Sequence, residues 1–279
     1  MKITQNLHMH TSLSSCAVRD ASVAGYVEDA VKSGEFKLLG FTDHLWDSDV
    51  PGCTGWYRPQ NVEHVLQLKK DLPASGEMNG VKLLFGCETE FINGGILCLT
   101  EEHAELFDYL LVPHSHCHMN VVMPREYADD PKKYAQFLMD SFMRLVNHPM
   151  AKKITIAAHP FVAGTSHMRY NEIQSHIPNS YFYEAFAAAK EAEIAIEMNG
   201  SCLVYLPEEE IPNCEYVRIF SIAKECGCRF TYGSDAHDHR YGPDGRKLHL
   251  VEAFFDQCGI TEADMLNMET VWNRIYGKK

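Results

Sequence analysis

Histidine and carboxylate side chains recur in short groups along this sequence, and such side chains bind metal ions and transfer protons near neutral pH. Fifteen histidines occur in 279 residues. Two form a His8-x-His10 pair, and Asp235-x-His237 repeats this spacing late in the chain. Side chains two residues apart in an extended chain point the same way, so each pair could bind one ion. Two exposed histidines near the amino terminus would explain the first pair equally well.

Further candidate ligands stand at the ends of apolar segments. Glu88 closes one, where an unpaired carboxylate is costly to bury and a bound metal ion offsets that cost. Glu90 is interpreted as a second carboxylate outside the inner ligand set. Taken alone, His44 is explained by a turn and His159 by the proline that follows it. In the run His114-Ser115-His116-Cys117-His118, one histidine is expected to bind metal.

Other polar residues are expected to act around the ligands. Glu197-x-Asn199 closes a further apolar segment, and we expect this pair to orient ligating imidazoles by hydrogen bonds. His167 and His239 lie in later loops, and the sequence leaves their role open.

The elements that position these residues are predicted from short apolar runs, which are typical of buried strands. Seven runs predict strands at Ile3–His8, Leu38–Thr42, Val81–Cys87, Tyr109–Pro113, Ile154–Ala158, Ile194–Met198 and Arg229–Tyr232. Apolar residues at helical spacing lie between them, at residues 22–31, 61–72, 131–147, 180–190 and 213–226. The chain therefore alternates strand and helix along its length.

This alternation predicts a parallel sheet with right-handed crossovers. Seven repeats favour one closed or nearly closed α/β barrel over two domains, and a doubly wound open sheet is the alternative. We find no linker or low-complexity tract, so residues 1–279 are interpreted as one domain. The candidate ligands follow or close the strands, and the carboxyl ends of parallel barrel strands open onto one face. The fold would thus bring these residues together.

Composition restricts the partners. The formal net charge is −13, which disfavours a long nucleic acid but allows a small phosphorylated substrate if metal ions reverse the local charge. No signal-peptide core or membrane-spanning apolar run is visible, so a cytoplasmic protein is expected. The ten cysteines are interpreted as reduced and mostly buried thiols.

In order along the chain, these motifs resemble the polymerase-and-histidinol-phosphatase (PHP) family of metal-dependent phosphoesterases. The matching segments are His8-Met9-His10-Thr11, Thr42-Asp43-His44, Gly86-Cys87-Glu88, Ser115-His116, His159-Pro160 and Ser234-Asp235-Ala236-His237. Overall size and the segment Leu39-Gly40-Phe41-Thr42-Asp43-His44 are most similar to the histidinol-phosphatase branch.

The resemblance implies an α/β fold, a distorted seven-stranded (β/α)7 TIM-like barrel, and two or three divalent ions of zinc, manganese or iron. One ion would be held by His8, His10, Glu88 and Asp235, a second by Glu88, His116 and His159, and a third by His44 and His237. The family supplies a further aspartate or histidine at the position of Cys16. Asp20 is preferred to Cys16 as the replacement, because a hard oxygen ligand suits manganese or iron.

The implied activity is hydrolysis of a small phosphomonoester by a metal-activated hydroxide. Histidinol phosphate is the best single candidate, which would place the protein in histidine biosynthesis. His237 or Asp235 would protonate the leaving group, and the expected phosphate-binding side chains are Arg19, Arg58, Arg169 and Arg240. Alternatives are a tyrosine-phosphate phosphatase, a nucleotide phosphodiesterase or nuclease of the same family, and a non-catalytic metal-binding domain. Metal identity and oligomeric state are left open.

Overall fold

Seven parallel strands form a nearly closed barrel with helices around it in the computed structural model, which describes residues 1–163, 169–204, 206–239 and 248–277. In barrel order, which is also chain order, the strands are Gln5–Asn6, Leu38–Phe41, Val81–Thr89, Tyr109–Pro113, Ile156–Ala158, Ala195–Asn199 and Phe230–Gly233. Each of the seven predicted strands is found, and the predicted (β/α)7 TIM-like barrel is confirmed. The open-sheet alternative is wrong.

The first and last strands meet along a seam that closes the barrel. The Leu7 amide donates to the Tyr232 carbonyl oxygen at 3.0 Å. Further along, the Asp235 amide donates to the His8 carbonyl oxygen at 2.9 Å, and the His10 amide donates to the Ala236 carbonyl oxygen at 2.9 Å. The seam therefore runs directly through two of the predicted ligand pairs.

Helices cover the outside of the barrel. They span Val23–Ser33, Val62–Val65, Glu101–Ala104, Pro131–Val146, Tyr170–Ser175, Asn179–Glu191, Gly200–Val204, Glu215–Glu225, Leu248–Gln257 and Glu269–Tyr276. The first is capped by Ser22 and ends at Gly34, whose φ of 68° glycine adopts without strain. The helix predicted over residues 61–72 is one turn followed by the 3-10 helix Leu66–Lys70. None of the described helices combines the length and the apolar character needed to cross a bilayer.

Four short strands lie outside the seven barrel strands in the described part of the chain. His44–Leu45 and the antiparallel Glu77–Met78 both pair with the third barrel strand, and Phe91–Ile92 pairs with Ile96–Leu97 in a separate hairpin. The pairing of His44–Leu45 brings His44 alongside Glu88. All ten cysteines are free thiols, seven of them buried.

Apolar side chains fill the barrel at the amino ends of its strands, a region called the floor here. Its buried members are Leu7, Leu38, Leu84, Tyr109, Leu111, Ile156, Ala158, Ala195 and Met268. The Tyr109 ring crosses the interior, and its hydroxyl donates to the Leu7 carbonyl oxygen at 2.8 Å. A Cβ at Gly40 would lie 2.1 Å from that hydroxyl, so only glycine leaves room for the ring. The packed floor leaves the opposite end, called the mouth, for polar side chains.

Candidate metal centre

Glu88 lies at the centre of the mouth, on an inward-facing position of the third strand, and is 1% exposed. Its Oε2 atom faces three imidazoles that come from the first two strands and the loops after them. Oε2 lies 3.5 Å from His8 Nε2, 3.5 Å from His10 Nε2 and 2.9 Å from His44 Nδ1. One carboxylate oxygen is thus shared by three possible ligands.

The other Glu88 oxygen faces a second pair of histidines. Oε1 lies 3.3 Å from His159 Nε2 and 3.8 Å from His116 Nε2. Glu88 can therefore bridge two ions, one on each side. Its carboxyl is buried, which opposes ionisation, yet the facing His44 and His8 outweigh burial and hold its pKa well below its usual range.

A third group forms beside the first. The His10 ring lies 4.4 Å from the His44 ring and 4.2 Å from the His237 ring, measured between centroids. Asp235 Oδ1 is 3.2 Å from His10 Nε2 and 3.4 Å from His8 Nε2. The structure thus places three donor groups at the mouth, and within each group the ligand atoms lie within 4.8 Å of one another. The groups are His8, His10 and Glu88; Glu88, His116 and His159; and His10, His44 and His237.

The outward nitrogens of four histidines are occupied by hydrogen bonds, which fixes their tautomers. His8 Nδ1 donates to Glu197 Oε1 at 2.8 Å, and His116 Nδ1 donates to Glu90 Oε1 at 2.7 Å. His159 Nδ1 and His10 Nδ1 likewise donate to serine hydroxyls, at 2.9 and 3.0 Å. In the neutral ring, each Nε2 then points a lone pair inwards, towards a carboxylate and other lone pairs.

This arrangement fits metal ions. The inward nitrogens of His8 and His10 are 3.1 Å apart, and the buried Glu88 Oε2 and His44 Nδ1 atoms lie 2.9 Å apart without the alignment of a hydrogen bond. Lone pairs and a carboxylate packed so closely repel unless a cation lies between them. Burial lowers the pKa of His8, but the carboxylates around it outweigh burial and raise it well above its usual value. The site therefore attracts positive charge.

Glu197 holds two ligands in place, as the sequence predicted for a residue that orients imidazoles. Its Oε1 accepts from His8 Nδ1, and its Oε2 accepts from the His159 amide at 2.7 Å. A Cβ at Gly233 would lie 1.9 Å from Glu197 Oε1, so glycine is required beside this carboxylate. Asn199 lies 3.3 Å from Asp235 Oδ2, to which its side-chain amide donates.

Sequence reasoning missed the role of Asp43. Its Oδ1 accepts from the Ser14 hydroxyl at 2.7 Å, and that hydroxyl in turn accepts from His10 Nδ1 at 3.0 Å. The Thr11 amide also donates to Asp43 Oδ1, at 2.7 Å. Asp43 thus orients a candidate ligand through a serine. The available signal was its place directly after the second strand and before His44.

Glu90 is the second missed orienting residue. It is fully buried, and its Oε1 accepts hydrogen bonds from both His116 Nδ1 and the Tyr57 hydroxyl. The outer position expected for Glu90 matches this placement, but the sequence did not connect it with His116 or with the loop that contains Tyr57. The connection depends on how that loop folds back over the mouth.

Two candidate ligands have backbone angles that side chains rarely adopt. The φ angle is 29° at His159 and 53° at Asp235, both in the left-handed region. Such angles persist only where the surrounding structure enforces them, and they concentrate at functional sites. Here the amide of each residue is fixed, by Glu197 Oε2 and by the His8 carbonyl oxygen.

The histidine run after the fourth strand divides into three roles. His114 is fully buried, its Nε2 accepts from the Phe161 amide at 3.0 Å, and burial lowers its pKa to about 3. It is therefore a neutral packing residue. His116 faces Glu88, and His118 lines the cavity above the mouth. Among the other histidines left open, His239 packs against the Tyr26 ring, and His167 lies outside the described residues.

The preference for Asp20 over Cys16 at the remaining ligand position stays a prediction. Cys16 is exposed and lines the cavity together with His44 and His237. Asp20 is exposed and belongs to none of the donor groups at the mouth. Cys16 belongs to none of these donor groups either.

A cavity of about 720 Å³ opens above the ligands. Its walls comprise Cys16, His44, Thr54, Trp56, Tyr57, His116, His118, Met119, Asn120, Val121, Asp235 and His237. No arginine of the described chain is in this wall. Arg19 and Arg58 are exposed, the Arg169 side chain pairs with Glu172 at 3.0 Å, and Arg240 lies outside the described residues.

A fourth donor group, Asp47, Asp49 and His103, shares no residue with the others. Asp47 Oδ2 already accepts from His103 Nδ1 at 2.7 Å and from the Thr100 hydroxyl at 2.8 Å. Its Oδ1 accepts from the Asp49 amide at 3.0 Å. These bonds satisfy the buried carboxylate without an ion.

Fold and site together define a class: a TIM-like barrel with a histidine and carboxylate cluster at its mouth, suited to more than one metal ion. Among solved structures, the chain is similar to a histidinol phosphate phosphatase from Lactococcus lactis, a structure complexed with zinc, L-histidinol and phosphate. The TM-score is 0.66 at 16% identity, over 94% of this chain and 95% of that one. At this identity the similarity supports the barrel fold.

More distant similarities are to two other hydrolases. One is N-isopropylammelide isopropylaminohydrolase from Burkholderia multivorans, with a TM-score of 0.42 at 13% identity, over 90% of this chain and 60% of that one. The other is triazine hydrolase from Arthobacter aurescens, with a TM-score of 0.40 at 14% identity, over 99% of this chain and 56% of that one. No protein-family model matches the sequence, and no curated protein matches it.

Proposed function

We propose that this protein is a metal-dependent hydrolase of small phosphomonoesters, with histidinol phosphate as the first substrate to test. The supporting observation is the bridging position of Glu88, whose two oxygens face separate groups of imidazoles with inward lone pairs. The barrel similarity to a phosphatase whose structure contains zinc, L-histidinol and phosphate agrees with this proposal.

Two or three divalent ions of zinc, manganese or iron would occupy the mouth. In the proposal His8, His10, Glu88 and Asp235 hold one, Glu88, His116 and His159 hold the second, and His44 and His237 hold the third. Bound divalent ions would supply Lewis acidity, lowering the pKa of water and offsetting phosphate charge.

His237 and Asp235 are the proposed groups for proton transfer, and we propose a different role for each. His237 Nδ1 donates to the Asp235 carbonyl oxygen at 2.8 Å, so only Nε2 is available to bind an ion or to carry a proton. The Asp235 carboxyl is partly buried, which opposes ionisation, but His8 and His10 outweigh burial and lower its pKa well below its usual value. Asp235 therefore remains ionised and suits a ligand or proton acceptor, and His237 suits the donor when it holds no ion.

Substrate binding in the proposal combines the ions with the cavity wall. Trp56 is 43% exposed, and its ring contacts the His44 ring at 5.4 Å between centroids. An exposed aromatic face beside the ligands suits a substrate with a flat organic group next to its phosphate. Arg19, Arg58 and Arg240 are the proposed additional phosphate contacts. Arg169 is the weakest candidate, because Glu172 already pairs with it.

Metal-dependent phosphatase assays test the proposal. The purified protein is analysed for bound metals, stripped with a chelator and reloaded separately with zinc, manganese and iron(II). Each form is assayed on histidinol phosphate, phosphotyrosine, an aliphatic phosphomonoester, a nucleotide and a phosphodiester. We expect monoester hydrolysis that disappears on stripping and returns on reloading.

A matched pair of variants provides the control. His159→Gln removes a buried proposed ligand, and His176→Gln changes an exposed histidine directly after the helix Tyr170–Ser175. Only the first should lose activity. Full activity of the stripped protein would overturn the proposal, and hydrolysis confined to diesters would replace it with a phosphodiesterase.

A further inference from the structure

We infer that Tyr57 is a positioning residue for the second ion, and that it acts on His116 through the buried carboxylate of Glu90. The inference rests on the metal centre proposed above and deepens it. Tyr57 lines the cavity but belongs to none of the donor groups at the mouth. Its role would be to let the loop over the mouth set the affinity of one ion.

The contacts form two hydrogen bonds that meet at one oxygen atom. His116 Nδ1 donates to Glu90 Oε1 at 2.7 Å, and the Tyr57 hydroxyl donates to the same oxygen. Glu90 is fully buried and Tyr57 is 1% exposed, so this contact is shielded from bulk water. Among the described residues, none forms a hydrogen bond with the other oxygen, Glu90 Oε2. The orientation of the carboxylate therefore depends on the two donors to Oε1.

The backbone around Tyr57 is fixed, which gives its hydroxyl a defined position. The Tyr57 amide donates to Thr54 Oγ1 at 3.3 Å, and the Gln60 amide donates to the Tyr57 carbonyl oxygen at 2.7 Å. The Gln60 side chain joins this loop to the turn after the first strand. Its Oε1 accepts from the Ser15 amide at 2.8 Å, and its Nε2 donates to the Trp56 carbonyl oxygen at 3.0 Å.

The Tyr57 ring packs against partners that do not involve its hydroxyl. Its centroid lies 4.6 Å from the Trp56 ring, 5.6 Å from the Trp46 ring and 6.0 Å from the His44 ring. Phenylalanine has the same ring and could keep these contacts. Tyr57→Phe therefore removes the hydrogen bond to Glu90 and leaves the packing of the cavity wall in place.

Glu197 shows a different way of anchoring a carboxylate at the mouth. Its two oxygens accept from His8 Nδ1 at 2.8 Å and from the His159 backbone amide at 2.7 Å. Glu90 instead receives its second hydrogen bond from a tyrosine side chain of the loop over the mouth. The barrel thus orients the imidazole of His8, whereas the orientation of His116 depends on that loop as well.

Metal binding by the full-length Tyr57→Phe variant tests the inference. Loss of the hydroxyl leaves the Glu90 carboxylate with one donor, so the affinity of the ion next to His116 should fall about threefold to tenfold. Competition with a chromogenic chelator measures this change, and the other ions should bind as in the wild-type protein. For an aromatic phosphomonoester, kcat should fall in parallel and KM should stay the same, because the Trp56 contact remains.

Tyr181→Phe is the matched control, because it removes a hydroxyl that donates to the Met139 carbonyl oxygen at 2.7 Å, outside the cavity wall. All affinities should stay the same in this variant. A double-mutant cycle then distinguishes positioning from a general structural role. In a Glu90→Leu background, Tyr57→Phe should have no further effect, because the hydroxyl acts through the carboxylate. An equal loss in both backgrounds, or no loss in Tyr57→Phe alone, would overturn the inference.

Nuclear magnetic resonance of the zinc-loaded protein with isotope-labelled histidine provides a second measurement, which needs no change at Glu90. The ring signals of His116, assigned by their loss in His116→Gln, should shift in Tyr57→Phe. The ring signals of His8 should not shift and are the internal reference. Unchanged His116 signals would contradict the positioning role. A shift together with weaker metal binding, in a protein without phosphatase activity, would support this role and reject the proposed activity, so the two failures are distinguishable.

Discussion

The two ends of the barrel are built from the same strands but contain opposite chemistry. On the third strand, Leu84, Gly86 and Glu88 occupy alternate positions that face inwards. Leu84 packs in the floor, Gly86 leaves room for the Tyr109 ring, and Glu88 lies among histidines at the mouth. Four residues along one strand thus change the interior from packing to ligand binding.

The ends also differ in how well their polar groups are satisfied. In the floor, the Tyr109 hydroxyl is hydrogen-bonded and the remaining buried members are apolar. At the mouth, the buried Glu88 Oε2 and His44 Nδ1 atoms lie 2.9 Å apart but lack the geometry of a hydrogen bond. Unsatisfied buried groups destabilise the folded state. The floor therefore raises the free energy of unfolding, whereas the metal-free mouth lowers it.

Glu88→Gln should weaken metal binding and catalysis at the mouth and leave the packing of the floor unchanged. Loss of a bridging carboxylate removes several kcal/mol of charge stabilisation, so we expect kcat for a phosphomonoester to fall about a thousandfold or more. Bound metal should fall in parallel, as measured by elemental analysis. The control is Glu184→Gln on the exposed side of a helix. Unchanged activity with normal metal content would show that Glu88 has no bridging role.

Met268→Ala should destabilise the floor and leave the activity of the mouth unchanged. Met268 is fully buried in the floor, and truncation of such a side chain costs about 2–5 kcal/mol of the free energy of unfolding. Urea denaturation of the metal-free protein measures this loss, and activity per folded molecule should not change. The exposed Val31→Ala is the control. A large fall in kcat without loss of stability would mean that the two ends are not independent.

Glu90→Gln should reduce metal affinity at the mouth without removing a proposed ligand. His116 would lose the charge of the carboxylate that orients it, and such losses reduce metal affinity about 10–100-fold. Competition with a chromogenic chelator measures the affinity of each ion, and only the ion next to His116 should be affected. Glu126→Gln, which changes an exposed carboxylate, should leave all affinities as they are.

Trp56→Ala should have the smallest effect and should separate substrate binding from metal binding. Loss of one aromatic contact costs about 1 kcal/mol, so KM for an aromatic phosphomonoester should rise about fivefold. KM for an aliphatic phosphomonoester and the metal content should stay the same. An equal rise for both substrates would exclude a direct contact between the Trp56 ring and the substrate's organic group.

The barrel could be predicted from the sequence because its strands are short apolar runs with ligand-type residues at their ends. Glu88 and His159 follow such runs directly, so their convergence followed from parallel strand geometry. The helix predicted over residues 61–72 is shorter, because helical spacing of apolar residues does not distinguish an α-helix from one that tightens into a 3-10 turn.

The partners that orient the ligands could not be predicted in the same way. Glu90 meets Tyr57, and Ser14 meets Asp43, at sequence separations of 33 and 29 residues. Both contacts depend on loops whose course has no periodic pattern. The turn that contains Cys16 is held by a hydrogen bond from the Ser15 amide to Gln60 Oε1, which spacing alone does not reveal.

The barrel seam has a thermodynamic consequence. His8 and His10 lie on one side of the seam, and Asp235 and His237 lie on the other. An ion bound by residues of both sides would cross-link the first and last strands. Metal occupancy and barrel closure would then be linked equilibria, each favouring the other. Amide hydrogen exchange at Leu7, His10 and Asp235 would slow as ions bind, while exchange in the floor would change little.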